Sequence, residues 1–349
     1  MASPPPLVRP LSWERRVAVW DAAFAVVRAH LRGAGLREVS TPVRVAAPAA
    51  EPYIDPIAAP PGWLATSPEL AMKRLLCRGS GPVFQLSHVF RRAERGDRHR
   101  EEFHLLEWYR LGSSLTAVER DVEVIVADVY AAAAEVLEHD EHHVAPPRRW
   151  IRASFFEVFA ATTGVALRGD EDDAGLRAIV SAELRAAVWD DRPGPLTDRD
   201  PEVRTLAAWT ALFSAWSDAK LDPWLLGQVG VGVHLGEFPA GLAALAERDM
   251  QGGRAIAHRV ESHVCGVELA NGYRELRDAG EQRRRFAAVH ALRAALGEPA
   301  LPTDEAFLSE LASPGLPVCT GMALGLDRLI MLACGRTRLD DVTLALGAP

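Results

Sequence analysis

The sequence predicts an α+β fold, with helices flanking a mostly antiparallel sheet. Two apolar, strand-like runs, VFQLSHVF and FHLLEWYR, enclose an arginine-crowded tip, which is the pattern of a long β-hairpin. The order along the chain is helix and strand, hairpin, helical stretch, then strands again, without the regular alternation that a parallel sheet requires. The last strand-rich segment, CTGMALGLDRLIML, runs into a glycine-marked amphipathic helix. With 349 residues, 48% hydrophobic and 25% charged, the chain can bury a large core.

Taken in order, residues 13–31 (WERRVAVWDAAFAVVRAHL) have helical periodicity and stop at Gly33 and Gly35. LREVSTPV is a short strand closed by Pro42, and a loop rich in Ala and Pro runs on to Trp63. TSPELAMKRLL opens a helix, with Thr66 or Ser67 as cap and Pro68 in the first turn. The hairpin covers residues 82–110. A long alanine-rich helix is expected over 117–139, followed by the His-rich segment 139–143, whose spacing fits no standard metal site and which is read as a solvated linker. Residues 150–225 read as helices with polar joints, one of them DDRPGPLTDRDPE.

The net charge of −8 and pI near 5.8 argue against a nucleic-acid-binding surface spread over the whole protein. Four scattered cysteines make neither a disulfide framework nor a metal-ligand pattern. No run is long and apolar enough for a membrane span, and a soluble cytoplasmic protein is expected.

Three segments carry candidate chemistry. On the second hairpin strand, period-two spacing places Phe103, Leu105, Glu107 and Tyr109 on one face. A carboxylate on an apolar strand is costly unless a cation meets it. Glu107 beside Tyr109 therefore suits an ammonium group, or equally a buried pair with a nearby arginine. VELANGYREL carries Glu268 and Glu275 with Asn271 between them. Convergence of the two acids on Mg²⁺ would require a bulge or bend at Gly272, and two solvated glutamates are the plainer reading. GMALGLDRLIML sets Gly321, Ala323 and Gly325 ahead of Arg328, which suits a phosphate at a helix start but is also an ordinary glycine turn. Together they form a kit for ATP with Mg²⁺, without a P-loop or a dinucleotide fingerprint.

These residues resemble the class II aminoacyl-tRNA synthetases. Residues 12–43, ending in EVSTP, are similar to motif 1, the Arg91 hairpin to motif 2, and residues 321–332 to motif 3. TSPELAMKRLL, EFHLLEWYR, GVELANGYREL and CTGMALGLDRL most resemble the short lysyl-tRNA-synthetase paralogues that modify elongation factor P, the elongation factor P–(R)-β-lysine ligases. The resemblance implies a single class II catalytic core over 1–349, with a helical insertion over about 113–225, no anticodon-binding domain, and a homodimer through motif 1. It implies ATP and Mg²⁺, activation of β-lysine or lysine as an adenylate, and transfer to a lysine ε-amine of elongation factor P, with tRNA charging disfavoured. Arg91 and Arg328 would be the catalytic phosphate clamps. Arg92, Glu94, His99, Arg100, Phe103, Glu268, Leu269 and Gly325 would complete the ATP site. Ser67, Pro68, Glu69, Glu107, Tyr109, Asn271, Glu275 and Ala323 would shape the amino-acid pocket, and Glu268 with Glu275 would hold the metal.

The chain departs from that family's pattern at several positions. Ala93 replaces an acid, Arg100 an asparagine, Glu101 a proline and Leu70 a tyrosine; Gly280 lies in the DA-x-EQ segment, and Ala323 replaces the glycine of tRNA-charging relatives. Two further readings therefore accompany the ligase: an adenylate-forming enzyme with another acceptor (a carrier protein, a small molecule or tRNA), and an inactive regulatory paralogue.

Overall fold

The computed structural model describes residues 9–138, 144–184 and 200–345. The His-rich segment 139–143 and most of the DDRPGPLTDRDPE joint lie outside the described residues. At the centre is an eight-stranded sheet. Numbered along the chain, its strands are β1 (Arg37–Glu38), β2 (Val83–Phe90), β3 (Glu102–Leu111), β4 (Arg149–Ser154), β5 (Val231–Gly236), β6 (Arg259–Val264), β7 (Val267–Arg274) and β8 (Cys319–Gly325). The spatial order is β1-β2-β3-β8-β7-β6-β5-β4. The edge pairs β1/β2 and β4/β5 are parallel and every other pair is antiparallel.

Alternation along β3 divides the molecule. Leu106 and Trp108 are fully buried against α1 (Trp13–Gly33), α3 (Leu115–Val136) and the helix Leu326–Ala333, through Val19, Trp20, Val27, Val122, Ile125 and Ile330. Phe103, Leu105, Glu107 and Tyr109 face the other way, into a cavity. A single residue of register slip would exchange core and cavity, so burial of the apolar set fixes which side chains the cavity receives.

Beneath the sheet, Asp121 of α3 ties the layers together. Its carboxylate accepts hydrogen bonds from Trp108 Nε1 (3.0 Å) and from the Arg110 fork, and pairs with His30 of α1 at 3.0 Å. Burial alone would raise its pKa, but the bonds from His30 and Arg110 outweigh it and hold the carboxyl below its ordinary value. Asp121→Ala is expected to cost roughly 3 kcal/mol at neutral pH, read from the denaturant midpoint. A depressed native pKa means that this contribution is present above the unfolded value. It is lost as pH falls through the native one, so the deficit shrinks in acid.

Three expectations need correction. The segment expected as helices from residue 150 opens with a strand, β4, which pairs in parallel with β5 and carries Trp150 against His234 at 4.6 Å. The Ala- and Pro-rich loop contains a small three-stranded sheet formed by Arg44–Val45, Ala58–Ala59 and Gly62–Leu64. The irregularity in β7 lies at Leu269, where Ser262 and His263 oppose Ala270 and Glu268; Gly272 stays in regular register with Val260 and Met322. The remaining helices of the insertion enclose a second core built on Phe155, Phe159, Trp209, Trp216 and Phe238.

Candidate active site

The cavity on the open face of the sheet has a volume of about 390 Å³. It collects residues from nearly every segment singled out in the sequence: Ser67, Glu69, Arg91, Glu94, His99, Arg100, Phe103, Glu107, Tyr109, Glu268, Leu269, Asn271, Glu275, Ala323, Gly325 and Arg328 all line it. Two expected members do not. Arg92, in the turn just past β2, points away from the cavity, to Asp55 at 2.6 Å and Glu298 at 3.5 Å. Pro68 occupies the start of α2 (Glu69–Cys77) and contributes backbone, its carbonyl accepting from Met72 N–H.

One end of the cavity is acidic. Ser67 Oγ accepts from the Glu69 N–H (2.9 Å), setting the first turn of α2, and donates to Glu107 (2.9 Å). Tyr109 donates to the same carboxylate at 2.6 Å. Lys73, buried to 1% exposure, reaches Glu69 and Glu275 at 2.6 Å each. Two carboxylates thus share one internal ammonium, with Glu107 held beside them by two hydroxyls. Burial is the main force raising the pKa of Glu107 and of Glu275; Glu69 adds to both, while Lys73 opposes. Asn271 Oδ1, also buried, has no hydrogen-bond partner among the described residues.

Gly321 makes this arrangement possible. A Cβ there would sit 2.3 Å from Glu275 Oε1 and 2.5 Å from the Tyr109 ring. Gly321→Ala is expected to push both side chains off their positions and raise the KM for the amino acid at least tenfold while ATP affinity changes little, by comparison of the two KM values.

The other end is basic. Arg91 lies over the Phe103 ring (5.1 Å) and donates to the Thr66 carbonyl at 3.3 Å. Arg328 donates to the Arg98 and Glu268 carbonyls and to His99 Nε2, at 3.2, 3.0 and 2.7 Å. Burial and then Arg328 lower the His99 pKa, so its Nε2 serves as acceptor. Arg100 pairs with Asp340 at 2.6 Å.

Glu268 and Glu275, the expected metal pair, both line the cavity. Glu275 also pairs with Lys73 and with the backbone at Gly321. Glu261 of β6 lines the cavity too, and there burial first, and then Glu268, push the pKa up against the pull of Arg259. Sequence reasoning passed over Glu261, Lys73, Arg259, Tyr273 and Glu51, all of which line or support the cavity. The E-x-x-x-K spacing of Glu69 and Lys73 was a usable signal. The alternation that buries Glu261 within RVESHV was another.

An antiparallel sheet with this hairpin, glycine-led helix and polarised cavity defines the class II synthetase type of catalytic domain. The family model described as tRNA synthetases class II (D, K and N) matches residues 11–345, and the chain belongs to that family. Among curated relatives, an elongation factor P–(R)-β-lysine ligase from Pectobacterium carotovorum is 34% identical over 355 residues, covering 95% of this chain and 96% of its own. Relatives of the same name from Proteus mirabilis (34%, 90% of each chain) and Photorhabdus laumondii (36%, 80% of this chain and 76% of its own) agree. The chain is therefore an enzyme, an ATP-dependent ligase. No helix among the described residues is long and apolar enough to cross a membrane.

Proposed function

We propose that the enzyme activates (R)-β-lysine, or lysine, as an adenylate and transfers it to a lysine ε-amine of elongation factor P. The observation that carries this reading is the acidic end of the cavity. Glu69 and Glu275 share the ammonium of Lys73 while Glu107 is held by Ser67 and Tyr109, which leaves an excess of carboxyl groups over ammonium groups at this buried end. A substrate with two ammonium groups offsets that excess, and the unpartnered Asn271 Oδ1 is a further acceptor for an N–H. A neutral side chain would leave the carboxylates uncompensated.

In this reading Phe103 and Arg91 hold the adenine and α-phosphate, and Arg328 with His99 the distal phosphates. The substrate carboxylate then attacks the α-phosphate in line, pyrophosphate leaves, and the acceptor amine takes the acyl group from AMP. No side chain acts as nucleophile; positioning and charge neutralisation supply the acceleration. Glu268 and Glu275 both line the cavity, offer carboxylate oxygens suited to Mg²⁺, and are the residues that would hold it. The metal would supply further neutralisation of phosphate charge. Ala323 pairs with both Glu107 and Asn271 across the sheet, so its methyl group narrows the floor between the groups that would receive the substrate's amines.

The direct test is the intact mass of elongation factor P after incubation with the enzyme, ATP and β-lysine. A gain of one lysyl residue supports the reading; adenylate formation without transfer would point to another acceptor. The homodimer belongs to the same proposal. Trp13 and Val17, one turn apart on α1, are 52% and 56% exposed, an apolar face available for a second copy. A monomeric mass in sedimentation at micromolar protein would refute it.

A further inference from the structure

We infer that Glu101 is a positioning residue for the nucleotide end of the cavity, holding Ala93 in a left-handed backbone and thereby setting the loop that carries Arg91, Glu94 and His99. Ala93 has φ 63°, a region that a residue with a Cβ rarely adopts and glycine enters freely. Its neighbours explain why the conformation persists. Glu101 Oε1 accepts the Ala93 N–H at 2.7 Å, and Oε2 accepts from Arg95 at 2.8 Å, so one carboxylate spans the first turn of the loop. The Glu101 carbonyl also accepts the Arg91 N–H at 2.8 Å, which fixes the register of the two arms at the arginine itself.

Elsewhere the loop is anchored from outside the hairpin. Arg92 pairs with Asp55, the Asp97 carbonyl accepts the Leu339 N–H, and Arg100 pairs with Asp340. Glu101 acts at a different place, on the strained residue between Arg91 and Glu94, both of which line the cavity. The site contains two other consequences of this turn. Arg91 and Glu94 stand 3.5 Å apart, and His99, further round the loop, meets Arg328 at 2.7 Å. Released from Glu101, Ala93 would relax toward an ordinary backbone conformation and carry Glu94 out of register with Arg91.

The inference rests on the reading that this cavity binds ATP. Glu101 is half-buried and outside every core cluster, so its replacement should leave folding intact, checked by the melting temperature. ATP binding is measured by calorimetry without amino acid, and the amino-acid KM by ATP–pyrophosphate exchange at saturating ATP. Glu101→Ala is expected to weaken ATP binding about tenfold with the amino-acid KM unchanged. Glu101→Gln, which keeps an acceptor for the Ala93 N–H, should recover part of the loss. Unchanged ATP affinity in Glu101→Ala would overturn the inference, as would equal losses of ATP and amino-acid binding with a lowered melting temperature, which mark a merely structural role. Absence of ATP binding by the unsubstituted enzyme would instead refute the activation reading, and this inference with it.

Discussion

Replacing Arg91 by alanine is expected to reduce amino-acid-dependent ATP–pyrophosphate exchange about a thousandfold while the protein stays folded. Arg91 sits at the end of β2, on the cavity side of the alternation, with its guanidinium over Phe103 and one contact to the Thr66 carbonyl. Among the described residues its ion pair is with Glu94, 3.5 Å away at the cavity wall. A charge so placed is available for phosphate oxygens that gain charge as pyrophosphate departs. Because the loss falls on the reacting state, kcat should fall far more than ATP affinity. Arg91→Lys keeps the charge but not the planar fork, and should lie between the two. Equal kinetics for Arg91→Ala and the unsubstituted enzyme would remove Arg91 from the chemistry.

Lys73→Met is expected to destabilise the unliganded protein by about 3–5 kcal/mol, the cost of removing one partner of a buried ion pair. Lys73 and Glu275 are each 1% exposed, and Glu69 is 13% exposed. Without the ammonium, Glu69, Glu107 and Glu275 would face one another with no cation, and protonation of one or more would be the least costly response. Methionine keeps most of the volume, so the effect reports charge rather than packing. Saturating β-lysine should restore part of the stability, since a ligand that binds only the folded state adds to it. A variant as stable as the unsubstituted protein would mean that the carboxylates are already neutral and that the acidic end is not charged as described.

The features that could be read from sequence were those written in local period. The face Phe103, Leu105, Glu107, Tyr109 follows from two-residue alternation, and α1 from apolar residues at helical spacing. The glycine-led start of the last long helix was visible in GMALGLDR. What escaped depends on partners distant in the chain. Lys73 was legible as a helix neighbour of Glu69, but its second partner, Glu275, follows β7 far along the chain. The irregularity that lets two acids seven residues apart share a face was expected at Gly272 but lies at Leu269, and Glu261, on the adjacent strand, was passed over. β4 was hidden because RRWIRAS is short and lies between helical stretches; its pairing to β5 is a parallel edge contact that no turn announces. Ala93 could be seen as a departure from the family pattern, yet its left-handed backbone and its bond to Glu101 required coordinates.

The most direct test of the central claim is ATP–pyrophosphate exchange with (R)-β-lysine, α-lysine and the remaining amino acids supplied singly, against a blank. A cavity end where Glu69, Glu107 and Glu275 gather around one internal ammonium predicts strong exchange with β-lysine or lysine, and none with neutral or acidic amino acids. Exchange driven best by a neutral amino acid, or none at all from folded enzyme that binds ATP, would contradict the account.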